Sequence, residues 1–134
     1  MEAHLGSSFR IEIDGLGEAS FSRCSGLGAR VEVVRASEGG AAGPRLLPGE
    51  VRWDPLVLER GWVQDPRLWE WFESGEPRSG AVEILTPDGA PAGRWSFRRG
   101  WPARWSGPSF DAGRDEIALE VLEIVHEGLR WEKP

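Results

Sequence analysis

The sequence predicts a mainly β protein: an antiparallel β-sandwich or partly open barrel with one short α-helix. Three observations lead to this prediction. Apolar and polar residues alternate with a period of two in several separate runs, which is typical of half-buried strands. Short turns join most of these runs, so neighbouring strands are expected to be antiparallel. One segment has apolar residues at helical spacing, and the length of 134 residues fits a single domain, 1–134.

The N-terminal half contains four predicted strands. The clearest spans residues 9–13, where three apolar side chains alternate with charged ones, and Asp14-Gly15 then predicts a tight turn. The other three span residues 19–23, 30–35 and 51–59. Residues 37–49 are rich in glycine and proline and lack any periodicity, so they predict a long loop. A loop of this length in a small domain is usually functional.

A helix is predicted at about residues 65–74. Asp65 is suited to the N-cap and Pro66 to the first helical position, and Gly75 ends the helix. Leu68 and Trp69 begin an apolar stripe that continues one turn later. A helix of about ten residues is marginal alone, so it is expected to pack on the sheet at one end of the sandwich.

The C-terminal half predicts three more strands, at residues 82–85, 93–101 and 115–127. In the last of these the apolar side chains change faces near Val121 and Leu122, which predicts a bulge or a change of packing partner. The same pattern places Glu120 on the polar face of the strand.

Composition excludes several classes of function. The formal net charge of −6 disfavours a general binder of nucleic acid or of anionic membranes. One cysteine and two histidines rule out a cysteine-rich metal site, and no catalytic, metal or cofactor site is predicted. No apolar run is long enough to insert into a membrane and no targeting signal precedes the first strand, so a soluble cytoplasmic protein is expected.

Two local patterns allow other functions. Cys24 and His126 are the one possible thiol–imidazole pair, but no nucleophile signature accompanies them. The stretch from Arg94 to Trp105 mixes arginine with tryptophan and could serve a monomeric domain that binds carbohydrate or nucleic acid. Core packing of Trp95 and Phe97, with the arginines paired to acidic residues, is the favoured interpretation.

Nine segments, in order along the chain, resemble the tail tube protein family of contractile phage tails and phage-like contractile injection systems. They are 9–15 (FRIEIDG), 21–27 (FSRCSGL), 38–40 (EGG), 47–49 (LPG), 56–61 (LVLERG), 65–71 (DPRLWEW), 95–97 (WSF), 100–108 (GWPARWSGP) and 117–129 (IALEVLEIVHEGL). The resemblance implies a structural, non-enzymatic subunit. Six copies would form a ring whose strands join into a continuous barrel around a lumen, and rings would stack into the inner tube.

The resemblance also implies partners. These are further copies of the chain, the sheath, baseplate or spike and tape-measure proteins, and a lumen cargo of toxin or DNA, without membrane insertion by the subunit itself. Assembly would begin in the cytoplasm and end in a phage tail-like particle. Whether the chain builds the main tube or the ring next to the baseplate stays open.

Contacts between subunits or rings are expected in three parts of the chain: the predicted loop, the surface tryptophans and the C-terminal signature. The large number of tryptophans, a residue enriched in interfaces, supports this expectation. The candidate contact residues are Glu38, Gly39, Gly40, Leu46, Leu47, Pro48, Trp101, Trp105, His126, Glu127, Leu129 and Trp131.

Overall fold

A computed structural model describes residues 8–37, 43–113 and 118–133. Within these residues the chain forms ten strands and one helix. In chain order they are β1 (Phe9–Ile13), β2 (Gly17–Ala19), β3 (Arg23–Ser25), β4 (Ala29–Ala36), β5 (Arg45–Trp53), β6 (Leu56–Gly61), α1 (Arg67–Ser74), β7 (Arg78–Leu85), β8 (Pro91–Ser106), β9 (Leu119–Val125) and β10 (Leu129–Glu132). The predicted mainly β fold with one short helix is confirmed.

The main sheet runs β2-β1-β7-β8-β9-β6-β3, with β10 also paired to β8, and every pairing is antiparallel. The two ends of this order, β2 and β3, do not pair with each other, so the barrel is open. Strand β8 connects the two halves of the sheet because its first part pairs with β7 and β10 and its second part with β9. It bends where Arg99 has a φ of 49° and where a bulge follows Pro102.

The core lies between the curved halves of the sheet and the helix. Its fully buried side chains come from alternate positions on the strands: Ile11, Ile13, Leu56, Leu58, Val82, Phe97, Leu122 and Ile124. Helix α1 adds Leu68 and Trp71, and the Trp71 indole N–H donates to the carbonyl of Glu76 at 2.6 Å. Trp69, predicted to lie on the apolar stripe, is instead 41% exposed, and the helix packs against β8.

The helix begins later than the sequence predicts. Pro66 occupies the N-cap position and the first helical residue is Arg67. The Asp65 carboxylate still accepts the backbone N–H of Arg67 at 3.1 Å, so this residue satisfies a free helix donor from outside the helix. Gly75 ends the helix in the left-handed conformation with a φ of 62°, as predicted.

The predicted loop at residues 37–49 is wrong over its second half. Residues 45–49 belong to the nine-residue strand β5. This strand pairs with the eight-residue strand β4 to form a long hairpin. The predicted strand 51–59 is in turn two strands, separated at Asp54-Pro55. Proline and glycine suggested a loop, but β5 is an edge strand and Pro48 lies at a bulge, where a missing N–H is tolerated.

The end of the chain also differs from the prediction. Strand β9 ends at Val125 and shows no change of faces: Glu120, Leu122 and Ile124 all point inward. The sequence pattern suggested a change of faces because Glu120, a charged residue, occupies a core position. The C-terminal residues beyond the predicted strand form β10, in which Trp131 lies opposite Trp95.

Candidate assembly surfaces

The β4–β5 hairpin has two different faces. Residues directly opposite each other share a face, and the register pairs Val31 with Val51 and Val33 with Pro48. These four residues and Leu46, which lies opposite Arg35, form a largely apolar stripe, which we call the apolar face. On the opposite face, Arg52 lies 3.7 Å from both Glu32 and Glu50. The charged side chains are concentrated on this second face, which also carries the exposed Val34–Leu47 pair.

The apolar face of the hairpin is uncovered. Val33 is 65% exposed and Leu46 61%, and every β4 side chain before Ala36 is exposed. Within the described residues, β4 and β5 pair with each other and with no other strand. A lone two-stranded hairpin is marginally stable in water, so this apolar face needs a partner.

Three predicted contact residues, Leu46, Leu47 and Pro48, lie on the hairpin and are exposed. Another three, Glu38, Gly39 and Gly40, lie outside the described residues. A role for all six in contacts between copies stays a prediction.

A second apolar surface lies beyond the end of β6. Trp62, Val63, Pro66, Trp69 and Trp105 line an open cleft of about 560 Å³, which we call the aromatic cleft. The rings of Trp69 and Trp105 meet edge to face, with centroids 4.8 Å apart. Trp62 is 47% exposed. Of these residues only Trp105 is a predicted contact residue, because Pro66 and Trp69 were assigned to the helix and Trp62 and Val63 belong to no periodic run.

A buried charge pair lies under the aromatic cleft. Arg60 Nε donates to Glu120 Oε1 at 2.7 Å, and both side chains are at most 6% exposed. The Trp105 indole N–H donates to Glu120 Oε2 at 2.8 Å, so both carboxylate oxygens are bound. The Arg60 guanidinium also contacts Asp65 at 3.5 Å and lies 5.6 Å from the Phe21 ring centroid.

Asp65 joins this pair to the helix start. The hydrogen bonds from Arg67 lower the pKa of the Asp65 carboxyl to about 2, so it is ionised at neutral pH. Arg67 reaches it with Nε at 3.0 Å and Nη2 at 2.8 Å. The floor of the cleft is therefore formed by side chains that ion pairs and hydrogen bonds hold in place.

His126 connects the end of β9 to the base of the hairpin. Its Nδ1 accepts the Gly128 N–H at 3.1 Å, so its Nε2 carries the proton and donates to the Asp54 carbonyl at 3.1 Å. Its ring centroid lies 6.1 Å from that of Trp53, the last residue of β5. Burial lowers the pKa of His126, which keeps the ring neutral at pH 7.

The remaining candidate contact residues are dispersed. Glu127 is exposed and lies 2.9 Å from Arg99, whereas Leu129 packs against the core. Trp101 on β8 is 43% exposed, and Trp131 is 47% exposed with its ring centroid 5.2 Å from that of Trp95. The structure brings Leu46, Leu47 and Pro48 together but does not join them to the C-terminal candidates.

The family model "T4-like virus tail tube protein gp19" matches residues 6–130. The chain belongs to the T4-like tail tube protein family. This confirms the resemblance seen in the sequence and, with it, the predicted role as a structural protein of a tail tube.

Solved structures share the tail tube fold along nearly the whole chain. A chain in the sheath-tube complex of the extracellular contractile injection system PVC, in its extended state, has a TM-score of 0.88 at 17% identity, covering 98% of this chain and 93% of that one. A chain in the anti-feeding prophage baseplate has 0.82 at 23% identity, covering 99% and 97%. Hcp1 from Flavobacterium johnsoniae has 0.62 at 16% identity, covering 94% and 95%. No curated protein sequence matches the chain.

The geometry of this tail tube family member does not favour the thiol–imidazole pair. Burial raises the pKa of the Cys24 thiol to about 11, so the nucleophilic thiolate is scarce at neutral pH. Both ring nitrogens of His126 are bound to backbone groups. Neither side chain is therefore prepared for nucleophilic catalysis.

The first part of the arginine- and tryptophan-rich stretch serves the fold. Phe97 is buried, and Arg94 lies within 4 Å of three carboxylates, at 3.9 Å from Glu12, 3.8 Å from Glu83 and 3.2 Å from Glu132. A cation surrounded in this way has little positive potential left to attract a phosphate backbone. The one helix of the described residues has eight residues and is too short to cross a membrane.

Proposed function

We propose that this chain is the subunit of the inner tube of a phage-like contractile injection system or contractile tail. Six copies form a ring, and rings stack around a lumen through which cargo or DNA passes. The observation that carries the proposal is the uncovered apolar face of the β4–β5 hairpin in a member of the tail tube family. A surface of this kind marks an interaction site, and another copy that covers it would stabilise the hairpin.

The open barrel offers edges for ring closure. Within the described residues, strands β2, β3 and β10 each have one side without a strand partner. An unpaired edge presents free N–H and C=O groups, and pairing between neighbouring copies satisfies them. Such pairing would join six open barrels into one continuous barrel around a lumen.

The similar structures support the choice of partners. Those structures are of a sheath-tube complex, a six-fold symmetrised baseplate and a tube-terminating cap. By analogy, this subunit would contact a sheath and a baseplate or spike, with a tape-measure protein and a toxin or DNA in the lumen. It would act without catalysis, assemble in the cytoplasm and then form part of a tail-like particle.

Assembly of the purified chain tests this proposal. Negative-stain electron microscopy and light scattering should show rings of six or stacked tubes, with masses that are multiples of the 14.8 kDa chain. Val33→Glu places a charge on the apolar face and should abolish assembly without changing the circular dichroism spectrum. Glu32→Gln, on the opposite face of the same strand, is the matched control and should assemble. A chain that is monomeric at every concentration would contradict the proposal and favour the ligand-binding domain.

A further inference from the structure

The structure carries two uncovered apolar surfaces, and we propose that they bind each other between copies. The apolar face of the β4–β5 hairpin of one copy packs into the aromatic cleft of a second copy, and the contact repeats from copy to copy. This inference rests on the proposed tube function and identifies the surface that receives the hairpin.

The two surfaces match in chemistry. The hairpin presents valine and leucine side chains, with Val33 65% and Leu46 61% exposed. The cleft presents exposed indole faces, with Trp62 47% and Trp69 41% exposed. Burying a large apolar side chain contributes about 1.5–3 kcal/mol, and tryptophan in a well-packed pocket is a frequent interface anchor.

The placement of the two surfaces favours contact between different copies. The hairpin begins at Ala29 and ends at Trp53, shortly before β6. The cleft begins at Trp62, immediately after β6. With a rise of about 3.3 Å per residue, residues 56–61 separate the base of the hairpin from the cleft by roughly 17 Å along the strand. They therefore lie at opposite ends of β6. A contact between opposite ends of identical subunits is heterologous, so it repeats from copy to copy and builds either a closed ring or an open stack, both of which occur in a tube of stacked rings.

Charge complements this apolar match. Strands β4 and β5 together carry four arginines and two glutamates, a net charge of +2 in a protein whose formal net charge is −6. Residues 62–76, which form part of the cleft and the helix, carry four carboxylates and one arginine, a net charge of −3. The carboxylates that line the cleft are paired with Arg60 and Arg67, so the excess negative charge belongs to the helix beside the cleft, and it favours a basic hairpin over an acidic peptide.

Disulfide trapping tests the contact directly. In a Cys24→Ser background the chain has no other cysteine, so Val33→Cys and Trp62→Cys can be introduced together. Under mild oxidation with diamide, assembled protein should give a ladder of dimers, trimers and higher species on a non-reducing gel. The control combines Val33→Cys with Ala90→Cys, an exposed residue of the β7–β8 turn that is not among the candidate contact residues, and should give no ladder.

The outcomes separate this inference from the proposed function. Rings or tubes in the micrographs without a ladder would overturn the hairpin–cleft contact and leave the tube function standing. A chain that never assembles would overturn both.

A mixing experiment covers the case in which the cysteine variants assemble poorly. Val33→Glu disables the hairpin and keeps the cleft, whereas Trp62→Glu disables the cleft and keeps the hairpin. Neither variant should elongate alone, but an equimolar mixture should form a species of twice the mass, because one good contact remains between them. Two folded variants whose mixture keeps the mass of its components would overturn the inference.

Discussion

Replacing Glu120 with leucine tests the buried charge pair under the aromatic cleft. The substitution removes the carboxylate that accepts Arg60 Nε at 2.7 Å and the Trp105 indole N–H at 2.8 Å. The remaining charged contact of Arg60 is the Asp65 carboxylate at 3.5 Å. An arginine whose side chain is 6% exposed then carries a poorly compensated charge.

The expected loss of stability is large. Removing one partner of a buried ion pair costs about 3–5 kcal/mol, because the other charge stays buried without compensation. For a chain of this length each kcal/mol corresponds to roughly 4 °C in Tm, so we expect a decrease of about 12–20 °C. Urea unfolding, followed by tryptophan fluorescence at one fixed protein concentration, measures the free energy of unfolding independently of heating.

Two further variants test the reasoning. Arg60→Met with Glu120→Leu removes both charges and should recover most of the loss, because apolar replacement of a whole buried pair is often neutral. Glu123→Leu, on the opposite face of β9, is the matched control and should change stability by less than about 1 kcal/mol. If Glu120→Leu were as stable as this control, the assigned role of the pair would be refuted.

The other predictions concern pH, thiol chemistry and backbone conformation. Because burial lowers the pKa of His126 below 6.5, the unfolded chain binds the proton more readily. The urea midpoint should therefore fall as the pH drops below about 6.5, and His126→Asn should flatten this dependence. Cys24, with a pKa of about 11, should react with a thiol reagent at pH 8 more than about tenfold more slowly in the native protein than in urea. Gly26→Ala should cost at least about 1–3 kcal/mol, because Gly26 has a φ of 93° and a Cβ there would lie 1.9 Å from the Pro55 carbonyl oxygen. Gly61→Ala, where a Cβ would contact nothing within 4 Å, should unfold at nearly the wild-type urea concentration.

Regular patterns made much of the fold predictable from sequence. The alternation in Phe9–Ile13 identified β1 correctly because one face of that strand is buried and the other is exposed. The helix was predicted to within two residues because Pro66 and Gly75 mark its ends. Strands β2, β3 and β10 are three or four residues long, which is too short for a periodic pattern.

The two largest errors have physical causes. In β5, Pro48 and Gly49 argue against a strand when only local propensity is considered, yet an edge strand tolerates both at a bulge. In β9, Glu120 argues against an inward position, yet Arg60 compensates its charge from a neighbouring strand. Both placements depend on residues distant in sequence, the paired strand β4 in the first case and Arg60 in the second. No local pattern therefore reveals them.

The same long-range compensation explains why the sequence did not reveal the aromatic cleft. A buried ion pair is by itself weak support for stability, because desolvation offsets the attraction between its charges. This pair also fixes the surface above it: Glu120 holds the Trp105 indole, and Arg60 binds both the carboxylate and the backbone carbonyl of Asp65. A cleft whose indole is held by a buried carboxylate loses less side-chain entropy when a partner binds. The stability measured for Glu120→Leu and the contact measured for Trp62 therefore both depend on the same buried group of charges and hydrogen bonds.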